Sequence, residues 1–208
     1  MKLEEIKLGI GIPCGFGFVH IRFATSLVGL KLVPDTRLMV VEKTMIHTAR
    51  NDMVKEMIEN RDYIFFLDDD MILEPDSIHR LLAHEKEIVG GLAFKRREPY
   101  SPCIYKKIGK KYYPMIPQTT KLMEVDVIGL AGTLVKTEVF KKLPEPWFYF
   151  DRSFSEDFHF SINARKAGFK IYCDPTVALE HIGDCQIVNW QTFLDYKRKS
   201  AEPKVESK

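Results

Sequence analysis

The chain is poor in the features that mark most specialised protein classes. Its four cysteines, Cys14, Cys103, Cys173 and Cys185, form no C-x-x-C pair and fall in different predicted elements. That argues against a zinc site or disulfide framework and for reduced thiols, with Cys14 and Cys173 expected to be buried. No apolar run approaches the roughly 18 residues of a membrane span. The opening Met1-Lys2-Leu3-Glu4-Glu5 carries acids and leads into a short strand pattern, unlike a signal peptide, so a cytoplasmic protein is expected. Charge is balanced, 31 basic against 29 acidic residues for a net +2, and no global field calls for nucleic acid or an acidic polymer. There is no internal repeat and no low-complexity stretch. The early glycines Gly9, Gly11 and Gly15 lack G-x-G-x-x-G spacing. Gly9 and Gly11 lie inside a strand pattern with Pro13 behind them, which disfavours a dinucleotide fingerprint.

What is present is a chain of 208 residues, 45% hydrophobic, long enough for one substantial core. The expectation is a single domain over residues 1–200 with a charged, disordered tail at 201–208. Apolar patterning alternates between strand and helix: strands at Ile6–Ile12, Leu38–Val41, Tyr63–Leu67 and Ile88–Leu92, helices at Val19–Leu30, Met45–Ile58 and from Pro75-Asp76-Ser77 to Leu82. This reads as an α/β fold with a mostly parallel, doubly wound central sheet flanked by helices. The segment Phe94–Lys121 is broken by prolines and rich in lysine and arginine, and reads as a long hairpin or flexible loop. Beyond it come a strand pattern at Met123–Ile128, a glycine-rich turn at Gly129–Gly132, a short helix near Glu138–Leu143 and a helix at Asp157–Ala167. The last has Ser155 as its cap candidate and Gly168 as its stop. A strand at Lys170–Cys173 and a turn at Asp174-Pro175 follow.

The most informative stretch is Phe65-Phe66-Leu67-Asp68-Asp69-Asp70, an apolar run that ends in three carboxylates with no basic neighbour in sequence. In an extended segment Asp68 and Asp70 share one side and Asp69 points away, a two-carboxylate claw suited to Mg²⁺ or Mn²⁺. Such ions keep their remaining positions for water and substrate phosphates. The sheet pattern puts the trio at the carboxyl end of a strand, where ligands bind in open α/β sheets. Glu156 and Asp157 open a predicted helix, where acids serve the helix dipole or, alternatively, a general base. His181 ends the phrase Leu179-Glu180-His181, and imidazole is a common metal ligand.

In order, Leu67-Asp68-Asp69-Asp70, Gly129-Leu130-Ala131-Gly132-Thr133-Leu134-Val135, Ser155-Glu156-Asp157-Phe158, Ala167-Gly168-Phe169-Lys170-Ile171 and His181-Ile182-Gly183 resemble family 2-type glycosyltransferases of the GT-A fold. The resemblance runs from about Ile6 to Gly183. It implies a small, single-domain, non-processive enzyme that moves one sugar from a nucleotide diphosphate sugar, with a UDP-sugar as the expected donor, to a hydroxyl acceptor with inversion and a bound Mn²⁺ or Mg²⁺. By position Asp70 ligates the metal with His181, while Asp68 ligates it too or contacts the nucleotide ribose. Asp157 is the base, with Glu156 as second choice. Pro13, Arg50, Asn51, Asp68 and Asp69 lie on the donor, and Gly132 and Trp147 on the acceptor. The QxxRW motif of processive members is missing, since Trp190-Gln191 is followed by Thr192-Phe193.

The aromatic run Trp147-Phe148-Tyr149-Phe150 divides between core packing and an acceptor platform. A carbohydrate, lipid-linked or protein acceptor fits equally. Basic residues between Lys95 and Lys111, and the amphipathic stretch Trp190, Phe193, Leu194 with Lys197, Arg198 and Lys199, are candidates for peripheral membrane contact. The remaining histidines, His20, His47, His79, His84 and His159, show no ligand pattern. A nucleotidyltransferase, lacking here a Gly- and Lys-rich phosphate loop, and a non-catalytic nucleotide-sugar or glycan-binding module are the alternatives.

Overall fold

In a computed structural model that describes residues 2–183 and 187–201, a short 3₁₀ turn at Leu3–Glu5 precedes β1 (Lys7–Cys14), α1 (Ile21–Gly29), β2 (Asp35–Glu42), α2 (Ile46–Met57), β3 (Tyr63–Leu67), β4 (Met71–Ile72), α3 (Ser77–Ala83) and β5 (Ile88–Leu92). The second half contains β6 (Ile104–Ile108), β7 (Lys111–Pro114), β8 (Met123–Val125), β9 (Val127–Ile128), β10 (Gly132–Lys136), α4 (Thr137–Lys141), α5 (Glu156–Lys166), β11 (Ile171–Ala178), β12 (Glu180–Ile182), β13 (Ile187–Val188) and α6 (Trp190–Ala201). The central sheet runs β2-β1-β3-β10-β5-β11-β8, with β6, β7 and β9 in one small sheet and β4, β12 and β13 in another. This is the expected mixed α/β arrangement.

Every side chain of β3 is buried, because the strand has helices on both faces. Ile64 and Phe66 point into a core cluster that includes α2, Phe140 of α4 and Phe160 of α5. Tyr63, Phe65 and Leu67 point into the opposite cluster, with Phe23 of α1 and Ile78 of α3. The unbroken apolar run is thus a two-sided strand with period 2. On β1 the glycines have a packing role. A Cβ on Gly9 would meet Met57 Sδ at 2.3 Å, and one on Gly11 would meet Met53 Sδ at 2.7 Å, so both let α2 lie close on the strand. They form no phosphate loop, as their place inside the strand pattern indicates.

The structure corrects three expectations. Gly132 opens a strand that enters the sheet antiparallel between β3 and β5, pairing Thr133 with Phe66 and with Gly90; the glycine-rich turn is shorter than read and its last residue is sheet. Asp174-Pro175 makes no break, since β11 passes through it with only a register shift before Ala178. The Met123–Ile128 pattern splits at Asp126, whose buried carboxylate accepts the Lys107 amide at 2.7 Å and pairs with Arg165 at 2.9 Å. Of the expected tail, Ala201 belongs to α6; residues 202–208, like Cys185, lie outside the described residues. Among the described residues no helix is long and apolar enough to cross a membrane.

Glycine substitutions separate packing from backbone freedom. A Cβ on Gly91 would lie 2.5 Å from the Val177 carbonyl, a backbone atom no rotamer change can move, whereas one on Gly29 in α1 meets nothing within 4 Å. Gly91→Ala should lower unfolding free energy by about 1–3 kcal/mol. Gly29→Ala should leave it unchanged or raise it by up to about 1 kcal/mol. Urea titrations of both variants check the contrast.

Candidate active site

The carboxyl ends of β1 and β3 meet at one edge of the sheet. Their parallel register runs from Leu8 opposite Tyr63 to Gly11 opposite Phe66, so its continuation brings buried Pro13 level with Asp68. The acidic trio is not extended as expected. The Met71 amide donates to the Asp68 carbonyl at 3.3 Å, closing a turn that sends the three carboxylates to different partners. Asp68 Oδ1 accepts from Arg50 Nη2 at 2.7 Å. Asp69 takes the Cys14 thiol as its hydrogen-bond partner; burial holds its carboxyl above the usual value, with the thiol opposing and the charges of Asp70 and Asp68 adding to the rise. Asp70 Oδ2 lies 3.1 Å from both His181 Nε2 and Arg96 Nη1.

The His181 ring is fixed from behind. Its Nδ1 stands 2.7 Å from the Phe94 carbonyl, which only accepts, so Nδ1 carries the proton. In the neutral ring Nε2 then turns a lone pair toward the Asp70 carboxylate, and two acceptors at 3.1 Å need a proton or cation between them. Ligands each about 2.1 Å from one ion at right angles sit about 3 Å apart, and a ligating imidazole commonly donates its other N–H to a carbonyl. Asp70 and His181 therefore fit a divalent ion. Asp68 is drawn toward Arg50, and no group of three or more His, Cys, Asp or Glu side chains among the described residues is arranged around a metal. The pair thus fits an ion that takes its other ligands from water and substrate.

Arg50 is the buried centre of the site. Only 2% exposed, it pairs through Nη2 with Asp68 and through Nη1 with Glu156, and it also feels the charge of Asp157. Glu156 is itself buried; desolvation holds its carboxyl above the usual value against the opposing pull of Arg50. Next to it Asp157 is half-buried at the start of α5. Its Oδ1 accepts from the Ser155 hydroxyl and from the Phe158 amide at 2.8 Å, while its Oδ2 would lie 3.9 Å from a Cβ on Gly129. Ser155 does occupy the cap position, yet its hydroxyl serves Asp157 and makes no cap bond. Burial, then the charge of Asp157, push the Cys103 thiol up to about 12, leaving a protonated sulfur beside the site.

Several sequence-predicted positions have other duties. Asn51 is saturated: its Nδ2 donates to the carbonyls of His47 and Phe148, and its Oδ1 accepts the amides of Trp147 and Phe148, all at 2.7–3.2 Å. It anchors the 147–148 segment. Trp147 is buried, its indole N–H donating to the Phe140 carbonyl at 2.9 Å, so its ring is no acceptor platform. Gly132 is buried against Leu179, whose Cδ2 would stand 2.1 Å from an added Cβ, and likewise presents nothing to an acceptor. The apolar face of α6 packs inward, Phe193 buried and Trp190 and Leu194 against the same core, which removes it as a membrane face. What sequence reasoning missed is an aromatic cavity of about 460 Å³ between the β6–β7 hairpin and the approach to α5, lined by Tyr112, Tyr113, Phe154 and Phe158 with Lys110 and Ser155. Its parts are far apart in sequence, and only the tertiary contact of Tyr112 with Phe154 and Phe158 assembles it. Arg96, in the segment read as a basic loop, was missed for the same reason.

A two-faced, mostly parallel sheet with these carboxylates at its edge defines a GT-A-type glycosyltransferase fold. Residues 29–198 match the model described as Glycosyltransferase like family 2, and the chain belongs to that family. Among solved structures it is similar to A197 from STIV, with 19% identity over 86% of this chain and 87% of that one and a TM-score of 0.63. It is also similar to GalNAc-T7, crystallised with UDP, GalNAc and Mn²⁺, with 10% identity and a TM-score of 0.59; the match covers 86% of this chain and 44% of the other. At these identities the likeness is one of fold. A comparison with curated proteins found no match.

Removing Arg50 tests the buried cluster. The folded-state pKa of Glu156 lies above its ordinary value, so its contribution to stability is present in acid and is lost as pH rises through the folded value. Arg50→Met deletes the charge that opposes this rise and leaves Glu156 buried and alone. The variant should lose about 3–5 kcal/mol at neutral pH and less in mild acid, where Glu156 takes up a proton. Urea unfolding at about pH 5 and about pH 8 measures the difference; a cost independent of pH would mean that Glu156 is not the stranded group.

Proposed function

We propose that this enzyme transfers one sugar from a nucleotide diphosphate sugar, with UDP as the expected nucleotide, to a hydroxyl acceptor by metal-dependent inverting displacement. The observation that carries the reading is the double pairing of Arg50, which holds the turn of Asp68–Asp70 and the start of α5 together, so that Asp70 with His181 and Asp157 serve one site. Pro13 and Asp68 border the nucleotide at the ends of β1 and β3, and Asp69, tied to Cys14, supports their loop. Asn51 acts at one remove by anchoring the 147–148 segment. Asp70 and His181 would hold Mn²⁺ or Mg²⁺, which supplies electrostatic stabilisation of the negative charge growing on the leaving diphosphate.

Asp157 takes the acceptor proton as the hydroxyl attacks. Its Oδ1 is steadied by Ser155 and Phe158, leaving Oδ2 for that proton. Glu156 is the weaker candidate, because its carboxylate is engaged by Arg50. The acceptor lies in the aromatic cavity beside Ser155, where Tyr112, Phe154 and Phe158 offer stacking surfaces. Inversion follows if the acceptor attacks from the face opposite the diphosphate. We further place the catalytic unit in a single domain over residues 1–200 and in the cytoplasm.

Two variants separate the roles. Asp70→Asn should abolish the Mn²⁺-dependent rise in melting temperature that the wild type shows with UDP or a UDP-sugar and loses in EDTA. Asp157→Asn should keep that rise while its transfer rate falls by about 10²–10⁴-fold. Near wild-type turnover in Asp157→Asn would move the base elsewhere, and an undiminished Mn²⁺-dependent shift in Asp70→Asn would sink the metal assignment.

A further inference from the structure

The four most exposed large apolar side chains among the described residues fall within thirteen positions: Phe16 at 79%, Phe18 at 75%, Ile21 at 71% and Val28 at 88%. They belong to the loop after β1 and to the outer face of α1. The helix is apolar on both sides. Phe23, Leu27 and Leu30, at i, i+4 and i+7, pack into the core cluster on that face of the sheet, and Ile21, Thr25 and Val28 repeat the same spacing on the solvent side. Core packing therefore accounts for one stripe and leaves the other unexplained.

The charge pattern around this surface is one-sided. From Ile6 to Pro34 the chain carries no aspartate or glutamate, whereas its overall frequency of 29 acids in 208 residues would place about four in a stretch of that length. Even the first turn of α1, where acids are favoured, has none. Arg22 and Lys31 are exposed. Parts of the surface stand clear of the rest of the chain: an added Cβ on Gly15 or Gly29 would meet nothing within 4 Å, while one on Gly17 would meet the side chains of Lys43 at 3.3 Å and Glu42 at 3.6 Å; the Phe16 and Phe18 rings stack on each other at 5.9 Å.

A projecting apolar tip with a neighbouring helix stripe, basic residues and no acid in its own stretch of chain, Glu42 and Lys43 of the adjoining segment standing together beside Gly17, has the composition of an interfacial element, whose apolar side enters the headgroup boundary while cations meet anionic lipid. We infer that this surface docks on an anionic lipid bilayer, with Phe16, Phe18, Ile21 and Val28 inserted and Arg22 and Lys31 over the phosphates. It lies at the mouth of the candidate site, since the loop leaves β1 at Cys14, the hydrogen-bond partner of Asp69, and Cys14 Sγ lies 3.7 Å from the Phe18 carbonyl. The inference stands on surface composition and does not depend on the sugar-transfer reading.

Co-sedimentation of the full chain with phosphatidylcholine vesicles, with and without phosphatidylserine, tests it at low salt in the absence of donor and metal. The protein should pellet with the phosphatidylserine-containing vesicles and be released by salt. The double variant Phe16→Ser, Phe18→Ser and, separately, Val28→Ser should melt like the wild type. The double variant should lower the partition coefficient by about tenfold or more, and Val28→Ser by less. Arg22→Glu with Lys31→Glu should weaken binding to anionic vesicles only. Wild-type protein that stays in the supernatant, or serine variants that bind as well as wild type, would overturn the inference. So would a concentration-dependent dimer abolished by the same substitutions with no vesicle binding, which would assign the surface to a second copy of the chain. A failure of the transfer assay leaves the vesicle result untouched, so the two readings fail separately.

Discussion

The site depends on one buried cation. Taking a guanidinium out of water costs several kcal/mol unless its partners are in place, and Arg50 recovers that cost only where the end of β3 and the start of α5 both reach it. Asp68 lies 18 residues away in sequence and Glu156 106. A misplacement of either element would leave a charge unpaired in the core, so the triad penalises any packing that separates them. Stability alone does not explain such an arrangement, since well-packed apolar side chains often serve as well or better. What the triad adds is position: it joins the acidic turn at the sheet edge to the first turn of α5, which carries Asp157.

The same pairing changes how the three consecutive aspartates are understood. In sequence they look like an uncompensated cluster that demands an external cation. In the folded chain each has its own partner: Arg50 for Asp68, the Cys14 thiol for Asp69, Arg96 and His181 for Asp70. The compensation is non-local, and no reading of neighbouring residues could have found it. Periodicity did locate β3 to the residue, because a strand buried on both faces writes a continuous apolar run, here bounded by Asp62 and Asp68. It failed at β10, where Gly132 looks like a turn residue but is small because Leu179 crosses over it. A glycine required by close approach and one required by a turn are indistinguishable in a single sequence.

Trp147 and α6 show a second limit. Both are amphipathic in pattern, and amphipathicity reports that one side is buried without naming what buries it. The Trp147 ring and the Trp190–Leu194 stripe pack against the protein's own core, whereas Ile21 and Val28 on the outer side of α1 are exposed. The pattern of α6 that looked like a membrane face is packing. The discriminating quantity is exposure of the folded chain.

Arg96 and Arg50 differ in a way that bears on the chemistry. Both oppose acids of the trio, but Arg50 is sealed in the core while Arg96 is 53% exposed on a loop. Moving a half-exposed guanidinium into water carries little penalty, because an ion pair at that exposure is worth at most about 1 kcal/mol. Moving Arg50 would strand Glu156. A divalent ion between Asp70 and His181 would therefore compete with Arg96, and would leave in place the Arg50 pairs that fix Asp68 and Glu156. Were such an ion to bind, Arg96 would be the side chain to give way, since its guanidinium is exposed where that of Arg50 is buried. One arginine sets the geometry of the site and the other keeps the freedom of a surface side chain, a difference that their burial assigns.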